Sequence, residues 1–265
     1  MSETCVTFNA MANVIPDSAE RFSKFAEFYD RVRPHPPEEL ANLLRQWSGT
    51  TDPDVVDIGC GTGLSSTIWP EATGVEPSAE MRAIAAQRGI RVVDGTGEET
   101  GLPDDCADIV TVSHALHWFD AARAFPEIAR IMRPGAVLAA FDFDWPPAVD
   151  PEVDAAYRDF ETVHHALEAE RGLRPTFAPK SEHLQRLRDS GLFRHVNEVC
   201  LHMKETGGAA RFVDFAASQG GVIALLEEGV SEDALGLTRL REVTERRMTD
   251  HTTWWWTCRV RLATR

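Results

Sequence analysis

The stretch Val55-Val56-Asp57-Ile58-Gly59-Cys60-Gly61-Thr62-Gly63-Leu64 decides the fold. Its β-branched start reads as a buried strand. The strand ends in an acid and runs into a turn with glycine at every second position, where a missing side chain lets backbone approach a bound molecule. Such a turn opens onto a helix in nucleotide-binding βα units. The spacing differs from the dinucleotide pattern Gly-x-Gly-x-x-Gly, because Leu64 stands where the third glycine would be and Gly63 comes one residue early. A carboxylate at Asp57 repels a pyrophosphate and suits a cationic or amine-bearing ligand.

Further along, Thr73-Gly74-Val75-Glu76-Pro77-Ser78 reads as a short second strand ending in an acid. A carboxylate at that strand end can accept both hydroxyls of a ribose. Ser78 reads as the N-cap of a helix over Ala79 to Gln87, with Met81 on its first turn. Ile90 to Glu99 reads as a third strand and its loop, Ile109 to Val112 as a buried fourth strand, and Val137 to Phe143 as the fifth. The fourth runs into Ser113-His114-Ala115-Leu116-His117-Trp118-Phe119-Asp120. Loops at the carboxyl ends of parallel strands are where such folds bind and react.

Together these segments resemble the class I S-adenosylmethionine-dependent methyltransferases, in the small-molecule, type 11-like group. Asp57 to Gly63 is similar to the family's first motif, and Gly74-Val75-Glu76-Pro77-Ser78-Ala79-Glu80-Met81 to its Gly-Val-(Asp/Glu)-x-Ser-x-x-Met pattern. Ala115-Leu116-His117-Trp118-Phe119 and Arg133-Pro134-Gly135 resemble later blocks. The likeness covers about residues 20 to 145 and extends beyond them by architecture only. It implies an α/β fold: a Rossmann-like, seven-stranded, mostly parallel sheet with helices on both faces, plus helical lid elements. It also implies S-adenosylmethionine as cofactor, held by Asp57, Gly59, Gly61, Gly63, Glu76, Pro77 and Met81. The third-strand loop would meet the adenine through Thr96, Gly97 and Glu98, with the Thr96 hydroxyl bonding the adenine amino group. One departure is the short interval from Gly63 to Gly74, which leaves room only for a short helix near Leu64 to Trp69.

Arg21 to Phe28 carries aromatics at helical spacing, and Tyr29 to Pro37 breaks the helix before another at Glu38 to Trp47. Tyr29-Asp30-Arg31-Val32-Arg33-Pro34-His35-Pro36-Pro37 resembles the family segment that lies over the cofactor. That implies Arg33 on the methionine carboxylate and Tyr29 facing the methyl group. After the fifth strand the pattern predicts helices at Ala155 to Arg171, Lys180 to Asp189 and Glu232 to Met248, a helical lid at Ala209 to Glu228, and strands at His195 to Glu205 and Thr252 to Ala263. Alternation along the final strand puts Trp254 and Trp256 on one face and Trp255 on the other. The expected organisation is an N-terminal helical cap at 1–50, a core at 51–145 and 190–265 with a lid insertion near 207–230, and a helical segment at 146–190.

The 265 residues carry a net charge of −15 with no basic cluster, which argues against nucleic-acid acceptors. No apolar run approaches the length of a membrane span. The five scattered cysteines form no metal spacing and fit a reducing compartment, so no metal and a cytoplasmic location are expected. A homodimer is compatible with the sequence. The reading is methyl transfer to a small-molecule acceptor, most readily on oxygen (carboxylate or hydroxyl), by in-line displacement. His117 is the candidate general base and His114 a cofactor or substrate contact. The alternatives are a macromolecular (RNA or protein) methyltransferase and a protein that binds S-adenosylmethionine without transferring its methyl.

Overall fold

The computed structural model describes residues 26–69, 71–173 and 178–265, without the side chains of 26, 27 and 29. The aromatic helix expected over Arg21 to Phe28 therefore lies mostly outside the described residues. Its continuation, α1 (Ala26–Val32), runs past Tyr29, so the break comes at Arg33-Pro34 rather than earlier. Helix α2 (Glu38–Ser48) follows and ends at Gly49 in the left-handed region.

Seven strands form one sheet among the described residues: β1 (Val55–Ile58), β2 (Thr73–Val75), β3 (Arg91–Val93), β4 (Ala107–Ser113), β5 (Met132–Phe143), β6 (Arg194–Thr206) and β7 (Thr253–Thr264). Their order is β3-β2-β1-β4-β5-β7-β6. The first five are parallel neighbours, and β7 runs antiparallel to β5. The sequence reading of a mostly parallel, seven-stranded sheet matches this. In a doubly wound sheet the ligand crevice lies outside the carboxyl ends of the parallel strands. Here those ends are Ile58, Val75, Val93, Ser113 and Phe143.

Burial explains why these segments are strands. Every residue of β1 is buried, and so are the last eight of β5, which is how a strand covered on both faces reads. Between β1 and β2 there is no α-helix, only a single 3-10 turn at Ser66–Ile68. The hydroxyls of Ser65 and Ser66 are spent on Asp57, as described below. Helix α3 (Ala79–Gln87) matches its expected span, with Ser78 as its N-cap accepting from the Met81 amide. Helix α4 (Ala121–Ile131) is capped in the same way by Asp120.

The chain divides into two compact units. The sheet unit comprises 18–147, 176–205 and 255–265. The second, in its described part, comprises 148–173 and 206–254, more than the lid insertion expected near 207–230. It contains α5 (Pro151–Arg171), α7 (Ala209–Ala217), α8 (Gly220–Glu227), α9 (Glu232–Leu235) and α10 (Leu237–Arg247), while α6 (His183–Asp189) belongs to the sheet unit. Two helices expected to be continuous are split. The Ala209 to Glu228 segment bends by 79° between α7 and α8. The Glu232 to Met248 segment breaks at Gly236, whose φ of 82° no helix interior tolerates. Tyr157, Phe160, Phe212 and Phe215 form the aromatic core of this unit. The tryptophan alternation holds: Trp254 and Trp256 are buried, and Trp255 is 57% exposed. The two buried indole N–H groups are satisfied by Gly207 O and Glu205 Oε1.

Candidate active site

The glycine loop is stitched to β2, because Val75 O accepts from both Gly59 N–H (2.8 Å) and Cys60 N–H (3.2 Å). All three glycines have positive φ, 68° at Gly59, 56° at Gly61 and 78° at Gly63. The reason for glycine differs along the loop. A methyl on Gly59 would stand 2.7 Å from Ala115 Cβ, and one on Gly63 would stand 3.1 Å from Ala85 Cβ. These two glycines therefore serve protein packing. Only Gly61 is open, since its added methyl would meet nothing closer than the Met81 thioether at 3.5 Å. Backbone approach to a ligand is thus concentrated at Gly61, with Met81 as its neighbour.

Asp57 is fully buried in the middle of the sheet, paired in register with Thr111 on β4. Its Oδ2 accepts from the hydroxyls of Ser65 (2.7 Å) and Ser66 (2.6 Å), and its Oδ1 accepts from Thr111 (2.8 Å). Burial raises its pKa, and the three hydroxyls oppose that rise. The direct grip on the cofactor expected for Asp57 gives way to an indirect one: the carboxylate folds the end of the glycine loop back onto the sheet.

Glu76 holds the place expected of it at the tip of β2 and is buried. It accepts Gly61 N–H on Oε2 at 3.0 Å and Ser78 N–H on Oε1 at 2.9 Å. A carboxylate has about four lone-pair sites, so two remain for outside donors. Burial pushes its pKa up, against those two N–H bonds and Arg82. Arg82 donates to the carbonyls of Glu76 and of exposed Pro77, and pairs with Asp94 at 3.0 Å, tying the tips of β2 and β3 together.

In the β3 loop the Thr96 hydroxyl accepts from the amides of both Glu98 and Glu99 at 3.2 Å. Its lone pairs are occupied, so the expected acceptance from an adenine amino group is replaced by one remaining O–H donor. Glu98 Oε1 accepts the Asp120 amide at 2.8 Å, joining this loop to the start of α4. A methyl on Gly97 would stand 2.7 Å from the Phe119 ring, which also lies over Gly59. Phe119 thus braces two loops, a role its place in an apolar block did not reveal. Asp30 of α1 reaches the same region, accepting from the Thr62 hydroxyl at 2.7 Å and pairing with Arg88. The side chain of Tyr29 lies outside the described residues.

A second group gathers at the tips of β4 and β5. His114 has φ 50°, unusual for a side chain with a Cβ and a form of strain common at functional sites. It is held there on both sides: its N–H donates to Phe141 O at 2.9 Å, and its Nε2 accepts the Phe143 N–H at 3.2 Å. The ring's proton is therefore on Nδ1, which lies 3.4 Å from Asp142 Oδ1. Burial, then Lys180, drives its pKa well below the ordinary histidine value. Asp142 is buried too. It pairs with Lys180 Nζ at 2.9 Å and with buried Arg261 at 3.0 Å, and these cations with His114 overcome the burial penalty and lower its pKa. Arg261 continues to Glu198 at 3.0 Å. Arg33 joins this group, its guanidinium 4.2 Å over the Trp145 ring, with Lys180 Nζ at 5.6 Å from the same ring.

His117 lies in a 3-10 turn at Leu116–Trp118 and stacks on His183 of α6, ring centroids 6.3 Å apart. Burial pushes His117 down to about 3 and His183 down to about 4. A base that weak takes no proton at neutral pH. The general-base role expected of His117 is thus withdrawn in favour of packing. Lys180, Asp142, Arg261, Trp145 and His183 were not among the expected site residues. Only Asp142, an acid within an apolar strand, left a signal in the sequence.

Residues 56–140 match the methyltransferase-domain family. The chain carries a class I methyltransferase domain. Its sequence is similar to an uncharacterised methyltransferase of Mycobacterium tuberculosis, 38% identical over 129 residues (46% of this chain and 51% of the relative). It is also similar to a malonyl-[acyl-carrier protein] O-methyltransferase of Pectobacterium atrosepticum, 37% identical over 131 residues (46% and 51%). The chain thus spans about half the length of these relatives. Among solved structures, a protein assigned as a type II methyltransferase from Anaeromyxobacter dehalogenans shares the fold, with TM-score 0.63 and 24% identity over 88% of this chain and 97% of that one.

Proposed function

We propose that this protein transfers the methyl group of S-adenosylmethionine to an oxygen of a small-molecule acceptor. The observation that carries the reading is Glu76, a buried carboxylate with spare acceptor sites, bonded to the one open glycine of the loop. That pair suits a sugar diol and leaves no place for a pyrophosphate, which a buried carboxylate would repel. The cofactor supplies an electrophilic methyl on a sulfonium. The chain's part is to bind, align and exclude water. Glu76 and Gly61 would hold the nucleoside, Met81 and the Thr96–Glu98 loop its base, and Asp57 would act through the loop it anchors. The β4 and β5 tips, with His114 and Trp145, would wall the acceptor. The net charge of −15 supports a small acceptor over a phosphate polymer.

Titration calorimetry with S-adenosylhomocysteine tests the reading. Micromolar binding to the wild type, weakened in Glu76→Ala, is expected. No binding, or binding untouched by that change, would overturn it.

A further inference from the structure

The tips of β4 and β5 hold more charge than alignment of a methyl group requires. We infer that the acceptor is a carboxylate and that the ammonium of Lys180 is its docking group. This rests on the methyl-transfer reading above and specifies its substrate class.

Position comes first. Across the sheet the tips run β2, β1, β4, β5, with Glu76 on the first, the glycine loop on the second and His114 on the third. A nucleoside on the first two leaves the third and fourth for the acceptor. Lys180 reaches that place from outside the parallel strands, 2.9 Å from Asp142 of β5 and 3.4 Å from His114 Nδ1. Within the Lys180–Asp142 pair the cation is the reachable member: its side chain is 37% exposed and that of Asp142 6%. Asp142 is held on its other oxygen by Arg261 and anchors the ammonium from below. Trp145 supplies an aromatic wall beside it.

Chemistry then narrows the class. An alcohol needs a proton acceptor, and His114 offers none: Nε2 is occupied by the Phe143 N–H and Nδ1 carries the proton. His117 and His183 are too weakly basic to substitute, at about 3 and about 4. An amine arriving as ammonium is repelled by Lys180. A carboxylate is already ionised, is attracted by Lys180, and needs no base. In the step one carboxylate oxygen forms a bond to the methyl carbon and the methyl–sulfur bond breaks. The bond's electron pair stays on sulfur, and no proton is released. The products are a methyl ester and a neutral thioether.

The experiment uses the full chain with methyl-tritiated S-adenosylmethionine. The acceptors are malonyl-acyl carrier protein and short- and medium-chain carboxylic acids, each acid beside its matching alcohol and amine. We expect base-labile methyl ester from one or more acids and no product from the alcohols and amines. Lys180→Met is expected to lower kcat/KM for that acid about 30-fold, mainly through KM, as for loss of one charge-assisted hydrogen bond. Lys180→Arg should restore part of the loss, and the surface control Lys204→Met should change nothing. Calorimetry on Lys180→Met should show unchanged S-adenosylhomocysteine affinity, which also establishes that the variant is folded. Transfer to an alcohol or amine instead, no transfer to any acid by protein that binds the cofactor, or full activity of Lys180→Met would each overturn the inference. Failure of the wild type to bind the cofactor sinks the methyl-transfer reading itself.

Discussion

The two ends of the crevice are built in different ways. The cofactor end comes from one run of chain: Asp57, Gly61, Glu76 and Met81 lie within 25 residues, tied by backbone amides. The acceptor end gathers Arg33, His114, Asp142, Lys180 and Arg261 from five separate segments, held by ion pairs and stacking. A contiguous loop keeps its geometry through local backbone bonds. A dispersed cluster keeps it only while every charge retains its counter-charge. The first should therefore be robust to single charge changes outside it, and the second brittle.

The sharpest break is Asp142→Ala, which leaves Arg261 buried with a lost partner. It should cost about 3–5 kcal/mol of stability in urea melts. S-adenosylhomocysteine affinity should stay near wild type in the folded protein, and an equal loss at both ends would erase the contrast. Asp57→Ala strips three buried hydroxyls of their acceptor and should cost about 2–4 kcal/mol of stability. Glu76→Ala should weaken cofactor binding by about 1–3 kcal/mol with acceptor KM unmoved. A shift in acceptor KM as large as the shift in cofactor affinity would show that the two ends are coupled.

The next effect depends on pH. His183 is depressed in the folded state to about 4, so its contribution is fully present above the unfolded value near 6.5 and is lost as pH falls toward 4. Unfolding then takes up protons. Asp57 and Glu76, raised by burial, work in the opposite direction at the acid end of that range, so a paired comparison isolates the histidine. His183→Gln should flatten the stability-versus-pH slope by up to about 1.4 kcal/mol per unit between pH 6 and 4.5. An unchanged slope would show that His183 charges in place. The smallest effect is at Trp255, where exchange to Ser should stay within about 0.5 kcal/mol, read by the same melts.

The contrast between the two ends also governs what the sequence reveals. Strand β1, the glycine loop, the Ser78 cap and helix α3 are local, so spacing and residue type identify them. The roles of Asp57 and Thr96 were misjudged because a motif gives no view of competing partners: Ser65, Ser66 and Thr111 claim one, and the amides of Glu98 and Glu99 claim the other. His117 was misjudged because burial, not residue type, sets its basicity. Lys180 and Arg261 carry no local signal, since their meaning depends on strand order, and β7 inserting between β5 and β6 is a tertiary fact.

That insertion sets an assembly schedule. Strand β6 precedes β7 in the chain with residues 207–252 between them, yet it borders only β7. Until residues 253–264 slot in, β6 has no neighbour and Arg261 is not beside Asp142. The parallel half can zip from near-neighbour segments, while the far edge waits on long-range closure, which is the slower kind of event. Maturation of the crevice therefore runs from its nucleoside end to its acceptor end.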